Sequence, residues 1–281
     1  MDERLWKIAG RSVDLSRRGM IMGVLNVTPD SFSDGGEFFS TAKAVEHGLQ
    51  MAADGAQIVD VGGESSRPGA EPVSVDEELR RVIPVIENLR RKIDIFISID
   101  TSKSEVASAA FDAGASIVND VTGGRGDKEM MTLVAKRNAG FVIMHMQGEP
   151  RTMQVDPHYA DVISEVADFF RQQYARALDC GIDPMTIALD PGIGFGKTLS
   201  HNLELLKNLE RLRINNRPIV VGVSRKSFLG KLIGSPTVAD RLPPTVALTS
   251  LLRARGADVF RVHDVRENAV ALRVSEAILE P

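Results

Sequence analysis

The stretch Phe96-Ile97-Ser98-Ile99-Asp100-Thr101-Ser102 decides how this chain folds. It is a short apolar run that ends on a carboxylate, which is typical of a buried strand reaching a polar edge. Ser102 and Glu105 have the spacing of a capping box, so the sequence predicts a helix that begins just beyond Asp100. Asp100 is therefore expected at the carboxyl end of a strand. A carboxylate there can equally form a structural Asx turn, and the rest of the chain has to distinguish the two.

The same pattern recurs along the chain. Apolar runs predict eight strands, at residues 20–26, 57–61, 96–100, 115–120, 141–145, 186–190, 219–223 and 258–263. Helical spacing predicts helices at residues 41–54, 74–92, 103–113, 128–138 and 158–180, the second with its own capping box from Ser74 and Glu77. This alternation favours an α/β fold of the (β/α)8 TIM barrel type over an open doubly wound sheet. A turn at Gly10-Arg11 predicts a short N-terminal hairpin, and we expect one domain spanning residues 1–281.

Composition limits the class of partner. A formal net charge of -4 and a pI of about 5.8 argue against a general nucleic-acid or membrane-surface binder but permit a local basic pocket for an anion. The single cysteine, Cys180, excludes an intramolecular disulfide framework and suits a reducing cytosol. The N-terminus is acidic and polar, and no apolar run approaches the roughly 20 residues that span a bilayer. We expect a soluble cytoplasmic protein that acts on small molecules.

Polar residues follow the predicted strands, and in a barrel these strand ends meet at one mouth. They are Asn26, Asp60, Asp100, Asn119, His145, Asp190, the Ser224-Arg225-Lys226 turn, and Arg261 with His263. Carboxylates and amides in this number suit a ring with several N–H donors, or a metal with oxygen ligands. The cationic residues suit a phosphate or diphosphate. A zinc site on His145 and His263 is an alternative, but no third His or Cys stands at a matching strand end.

One motif resembles a nucleotide-binding loop. The stretch GIGFGKT at residues 192–198 follows a predicted strand and ends like a P-loop. However, three residues rather than four separate Gly192 from Gly196, and Pro191 offers no amide to a phosphate. The dinucleotide pattern also fails, because Lys197 occupies its third glycine position. Both readings are disfavoured.

Longer motifs resemble the dihydropteroate synthase family, bacterial type, over almost the whole chain. They are GVLNVTPDSFSDGG (23–36), DVGGESSRPG (60–69), IDT (99–101), VND (118–120), MHMQG (144–148), PRTM (150–153), LDPGIGFGK (189–197), SRKS (224–227) and RVHD (261–264). The resemblance implies a usually homodimeric (β/α)8 barrel that uses Mg²⁺ in folate synthesis and is the target of sulfonamides. The implied reaction joins 6-hydroxymethyl-7,8-dihydropterin diphosphate to 4-aminobenzoate and gives 7,8-dihydropteroate and diphosphate.

The resemblance also assigns residues to the substrates. It places the pterin on Asp100, Asn119, Asp190 and Lys226, in a slot shaped by Met144, Phe195 and Gly222. It places the diphosphate on Asn26 through the metal and on Arg67, Arg261 and His263, with Asp34 near the metal. It places 4-aminobenzoate on Phe32, Ser66, Pro68 and Ser227. Departures from the family are slight: Ser66 stands where relatives often have Thr, and Ile193 where Phe is frequent.

Two other functions stay open at this point. A methyltetrahydrofolate-binding barrel of the corrinoid methyltransferase kind shares the pterin-facing pattern but has no need of Phe32, Asp34 or Arg67. A non-catalytic pterin-binding paralogue would keep the fold and lose turnover. The intact loops and the cationic residues argue against this alternative. If the reaction is the implied one, an electron-rich dihydropterin favours dissociative, SN1-like substitution.

Overall fold

The structure, a computed structural model, describes residues 3–28, 36–65, 71–148 and 152–279 of the protein. Its strands are β1 (Leu5–Ile8), β2 (Arg11–Asp14), β3 (Met20–Asn26), β4 (Ile58–Gly62), β5 (Phe96–Asp100), β6 (Ile117–Asp120), β7 (Gly140–Met144), β8 (Ile187–Asp190), β9 (Val220–Val221) and β10 (Val259–Val262). Its helices are α1 (Gly36–Ala53), α2 (Val75–Arg90), α3 (Ser104–Ala113), α4 (Met130–Arg137), α5 (Val162–Asp179), α6 (Leu199–Lys207), α7 (Ser227–Ile233), α8 (Leu242–Ala254) and α9 (Val265–Leu279).

The strands from β3 to β10 form one sheet, in which neighbouring strands pair parallel. Within the described ranges its order is β8-β7-β6-β5-β4-β3-β10-β9, and each helix on the way returns the chain to the same end of the sheet. A parallel bridge between Leu189 and Ile219 joins the two ends of this order. The sheet therefore closes on itself, and the predicted (β/α)8 barrel is confirmed.

Alternation along the strands builds two apolar layers. On β3, Met20 and Met22 belong to the cluster inside the barrel, whereas Ile21 and Leu25 belong to the larger cluster between the barrel and the helices. Because both faces of such a strand are covered, the strands read as near-continuous apolar runs. Across the described part of the chain, no helix is both long enough and apolar enough to cross a membrane.

The predicted N-terminal hairpin is confirmed and closes the lower end of the barrel. β1 and β2 pair antiparallel, with the turn at Ala9 and Gly10. Trp6 is fully buried in the interior cluster, and its indole Nε1 donates a 2.8 Å hydrogen bond to the backbone oxygen of Thr186. Thr186 directly precedes β8, so this bond ties the hairpin to the barrel.

The two predicted capping boxes have different outcomes. Ser74 caps α2, since its hydroxyl accepts a 3.3 Å hydrogen bond from the Glu77 amide. The box at Ser102 is wrong, because α3 begins at Ser104 after Lys103, which makes no side-chain cap bond. The Ser104 amide instead donates to Oδ2 of Asp127 at 2.8 Å. Asp127, which is distant in sequence, thus caps the start of α3 in place of Ser102.

Candidate active site

The carboxyl ends of neighbouring strands bring the predicted polar residues to one level. In the strand register Asn26 lies beside Gly62, Gly62 beside Asp100, and Asp100 beside Asn119. A Cβ atom on Gly62 would lie 3.5 Å from Cβ of Asp100 and 3.8 Å from Oδ1 of Asn26. A longer side chain would enter the space between these two polar groups. Glycine at this position therefore leaves the mouth open where the predicted site residues face each other.

Arg261 joins carboxylates from two strands inside the barrel. Its Nε donates to Oδ2 of Asp60 at 2.6 Å, and its Nη2 donates to Oδ2 of Asp100 at 2.6 Å. Asn119 donates from Nδ2 to the same Asp60 oxygen at 3.0 Å. The family resemblance implied that Arg261 binds the diphosphate, and the structure shows carboxylate partners for it. An anion-binding role for Arg261 stays a prediction.

Burial and charge shift the ionisation of this group. Burial raises the pKa of Asp100 to about 7, against the opposing effect of the Arg261 guanidinium. Burial also opposes the charge of Arg261, but the carboxylates of Asp60 and Asp100 outweigh it and raise its pKa. Asp100 therefore changes its charge close to neutral pH, while Arg261 stays cationic.

Asp190 and Lys226 stand on the other side of the mouth. Asp190 ends β8, and its Oδ1 accepts a 2.7 Å hydrogen bond from the Gly192 amide. Lys226 follows β9, donates from Nζ to the backbone oxygen of Ile193, and lies 4.2 Å from the centre of the Phe195 ring. Burial raises the pKa of Asp190 and lowers that of Lys226 to about 7, and in each case the opposite charge of the partner works against the shift.

Apolar side chains form a wall beside these charges. Met144 is buried at the end of β7 and packs with Met146, Met153 and the half-buried Phe195. Gly222 lies beside Arg261, where a Cβ atom would be 3.8 Å from Cβ of that arginine. The three residues expected to shape a pterin slot, Met144, Phe195 and Gly222, thus border the two charged groups.

Two further predicted residues lie at the rim. The Nδ1 atom of half-buried His263 is 3.1 Å from Oγ of Ser224, and its backbone amide donates to the same oxygen at 3.2 Å. Ser227 is exposed at the first position of α7. It lines an open pocket of about 400 Å³ together with Lys231 and Arg241.

Five of the predicted site residues lie outside the described ranges: Phe32, Asp34, Ser66, Arg67 and Pro68. Among the described residues no three His, Cys, Asp or Glu side chains are grouped to hold a metal. Asn26, at the end of β3, offers one neutral oxygen. Such a donor fits a Mg²⁺ ion that takes most of its ligands from a substrate's phosphate oxygens and water.

The family resemblance assigned no substrate to three residues that the structure places at the site, although the sequence put two of them, Asp60 and His145, at the predicted mouth. Asp60 is fully buried in the middle of β4, and its Oδ1 has no hydrogen-bond partner among the described residues. It shares a strand face with Gly62, and that two-residue spacing was the available signal. Lys197 and His145 are also buried, with Nζ of the lysine 3.0 Å from Nδ1 of the histidine. No local pattern links two residues that far apart in the chain.

Known proteins resemble this chain in sequence and in fold. Residues 22–263 match the family described as pterin binding enzyme. The Escherichia coli K12 dihydropteroate synthase is 48% identical over 272 residues, which cover 96% of this chain and 95% of that protein. A Xanthomonas albilineans dihydropteroate synthase structure with 4-aminobenzoic acid has a TM-score of 0.92 and 43% identity, and covers 100% of both chains. Another, with 7,8-dihydropteroate, has a TM-score of 0.88 and 41% identity, and covers 99% of both. The chain belongs to the dihydropteroate synthases of the pterin-binding enzyme family.

Proposed function

We propose that this enzyme joins 6-hydroxymethyl-7,8-dihydropterin diphosphate to 4-aminobenzoate and releases 7,8-dihydropteroate and diphosphate. The observation that carries the proposal is the convergence of Asp100, Asn119, Asp190 and Lys226 on one barrel mouth. Together with Arg261 they supply both the hydrogen-bonding groups that a pterin edge needs and positive charge near an anion. The 4-aminobenzoic acid and 7,8-dihydropteroate bound by the Xanthomonas albilineans relatives support the choice of acceptor and product.

The pterin is proposed to bind between the two charged groups. Asp100 and Asn119 are adjacent in the strand register and present an acceptor and a mixed donor and acceptor. Asp190 offers an acceptor and Lys226 a donor from the other side of the mouth. Met144 and Phe195 would cover the ring with apolar surface. A flat heterocycle with several N–H and carbonyl groups satisfies all of these at once.

Bond exchange is proposed to be dissociative and SN1-like. The C–O bond to the diphosphate breaks, and the methylene carbon becomes part of a cation delocalised over the dihydropterin. The amine nitrogen of 4-aminobenzoate then forms the C–N bond and releases one proton to water. Asp100 and Asp190 are buried carboxyl groups placed to stabilise that positive charge electrostatically. No strong base is required, because an aromatic amine attacks in its neutral form.

The departing diphosphate is proposed to bind at the rim. His263 and Arg67 would neutralise its charge, and the side-chain oxygen of Asn26, with Asp34, would hold Mg²⁺ against it. When bound, Mg²⁺ supplies charge neutralisation on the leaving diphosphate. Arg261 adds positive charge from inside the barrel, where it is already held by two carboxylates.

A turnover assay tests this function. The protein is incubated with the pterin diphosphate, Mg²⁺ and 4-aminobenzoate, and both 7,8-dihydropteroate and released diphosphate are measured. We expect the two products in equal amounts and neither product without 4-aminobenzoate. Absence of product while the pterin diphosphate binds would favour the non-catalytic paralogue. Methyl transfer from methyltetrahydrofolate to a corrinoid would favour the methyltransferase barrel.

We also propose that two copies of the chain associate through α8 and α9. Val270, Val274 and Ile278 are 52%, 55% and 77% exposed at intervals of four residues, so they form one stripe along α9. Leu251 on neighbouring α8 is 49% exposed. Sedimentation velocity should show a dimer that Val274→Asp converts to a monomer. Val155→Asp is the matched control, because Val155 is 80% exposed away from the stripe.

A further inference from the structure

The side chain of Lys197 is buried beside the proposed site and is fully hydrogen-bonded. It lies in the loop between β8 and α6 and is 3% exposed. Its Nζ is 3.0 Å from Nδ1 of His145 and donates to the backbone oxygens of Phe195 at 2.9 Å and of His145 at 3.4 Å. Three neutral polar atoms surround this amine, and burial lowers its pKa well below the usual lysine value. The lysine thus links two chain segments through one atom.

Those two segments pack backbone against backbone. A Cβ atom on Gly192 would lie 1.9 Å from the His145 oxygen, and one on Gly196 would lie 2.4 Å from the Gln147 oxygen. Both glycines have positive φ, at +62° and +60°. The loop after β8 can therefore follow the segment after β7 only because these positions lack side chains. Lys197 bonds across the contact that the glycines make possible.

Other residues fix the same loop from its outer side. Asn202 on α6 accepts a 2.7 Å hydrogen bond from the Gly194 amide, and Tyr159 donates from its hydroxyl to the Gly196 oxygen at 2.9 Å. These bonds hold the loop to its surroundings. The Lys197 bond to the Phe195 oxygen differs from them, because it acts on the residue whose ring faces the pterin slot.

The position of this loop determines two contacts at the slot. The Phe195 ring lies against Lys226, and the Ile193 oxygen accepts a hydrogen bond from Nζ of Lys226. Both contacts come from residues inside the segment that Lys197 holds. A shift of the loop away from β7 would therefore move the apolar wall and the cation together.

We infer that Lys197 is a positioning residue for the pterin, which acts by holding the Gly192–Lys197 loop against His145. The inference rests on the proposed function, since it assigns the pterin to the slot that Phe195 and Lys226 border. It also gives a role to the lysine that ends the P-loop-like motif. The amine is directed inward to protein acceptors.

The test compares steady-state kinetics and pterin binding in wild type and in Lys197→Met, which keeps the side-chain length but removes the donors. We expect the KM for the pterin diphosphate to rise about tenfold or more, with the KM for 4-aminobenzoate within about twofold of wild type. Calorimetric titration with a non-reactive pterin should show the same loss of affinity without turnover. Lys207→Met, at an exposed lysine on α6, is the matched control and should leave all three values within about twofold.

A second variant separates positioning from folding. In Lys197→Met the ring nitrogen of His145 loses its partner, and the double change with His145→Leu removes that unpaired group. The melting temperature should recover in the double variant while the pterin KM stays high. Recovery of the pterin KM together with the melting temperature, or an unchanged pterin KM in Lys197→Met, would overturn the inference.

If wild type makes no dihydropteroate, the proposed function fails, whereas a defect in pterin binding still supports the role of Lys197. If Lys197→Met does not fold, Lys197→Gln, which retains a neutral donor, replaces it under the same criteria.

Discussion

Nη2 of Arg261 donates a 2.6 Å hydrogen bond to the Asp100 carboxylate across the barrel interior, from β10 to β5. The carboxylate predicted to face the pterin is thus held by a cation before any substrate arrives. Preorganised charge of this kind stabilises a transition state without rearrangement during the reaction. Asp60 completes the arrangement by accepting from Nε of the same arginine.

Asp100→Asn should retain most pterin affinity but lose about 10²-fold to 10³-fold in turnover, as for removal of one preorganised electrostatic group. The amide keeps the size and an acceptor oxygen but lacks the negative charge that stabilises the pterin cation. Steady-state kinetics with saturating substrates measure the change. Asp94→Asn, at an exposed carboxylate, serves as control. Turnover of the Asp100 variant within about twofold of wild type would rule out the electrostatic role.

Asp100 should also make folding stability depend on pH. Its pKa in the folded protein is about 7, raised from an ordinary value of 3.8, so between these values the folded state binds a proton that the unfolded chain has lost. Its contribution to the free energy of unfolding is therefore greatest below the unfolded pKa and is lost as pH rises through the folded pKa.

The melting temperature of wild type relative to Asp100→Asn should accordingly fall between about pH 5 and pH 8. Differential scanning fluorimetry in matched buffers measures it. For Asp94, hydrogen bonding to Arg90 lowers the pKa below its ordinary value, so this group is ionised throughout the interval. The difference between wild type and Asp94→Asn should then stay constant, and a constant difference for Asp100 as well would contradict the raised pKa.

Arg261→Ala should destabilise the protein by about 3 kcal/mol or more, because it leaves two buried carboxylates without their cation. His263→Ala should lower the free energy of unfolding by about 1 kcal/mol, because the contact between its ring and the Ser224 hydroxyl is lost. The same histidine variant should weaken Mg²⁺-dependent diphosphate binding by roughly 1.5 to 3 kcal/mol if it removes a charge-assisted bond. Urea unfolding and diphosphate calorimetry separate the two effects. Equal stability losses in both variants would argue against Arg261 as the interior counter-ion.

Trp6→Phe should lower the free energy of unfolding by about 1 to 3 kcal/mol, because the buried Thr186 oxygen loses its indole donor. Turnover should be unchanged, since the hairpin closes the end of the barrel opposite the mouth. Far-UV circular dichroism is the suitable probe because Trp6 is the only tryptophan. Ser12→Ala, on the exposed side of β2, should be neutral. A turnover loss in Trp6→Phe would mean that the two ends of the barrel are coupled.

The barrel was predictable because the strands are apolar on both faces and polar residues lie at or near their carboxyl ends. β3 and β5 match their predicted bounds, whereas the predicted strand at 219–223 is reduced to Val220–Val221 with a bridge at Ile219. Contacts between distant segments were not predictable. The cap of α3 comes from Asp127, the partner of Lys197 is His145, and Arg261 bonds to Asp60 and Asp100. Local sequence carries no information on such pairings.

The short β9 strand gives the ring one weak joint. Across the described residues, β8 and β9 meet through the Leu189–Ile219 bridge, supported by the Leu189 amide donating to the Pro218 oxygen at 2.9 Å. Asp190 ends β8 and Lys226 follows β9, so the two residues lie on either side of this joint. A pterin that binds both residues would therefore bridge β8 and β9 and stabilise the barrel where its strands share the fewest hydrogen bonds. Deuterium exchange at the Leu189 amide should slow when a pterin fills the slot. Pterin binding and local opening of the barrel between β8 and β9 are then thermodynamically linked.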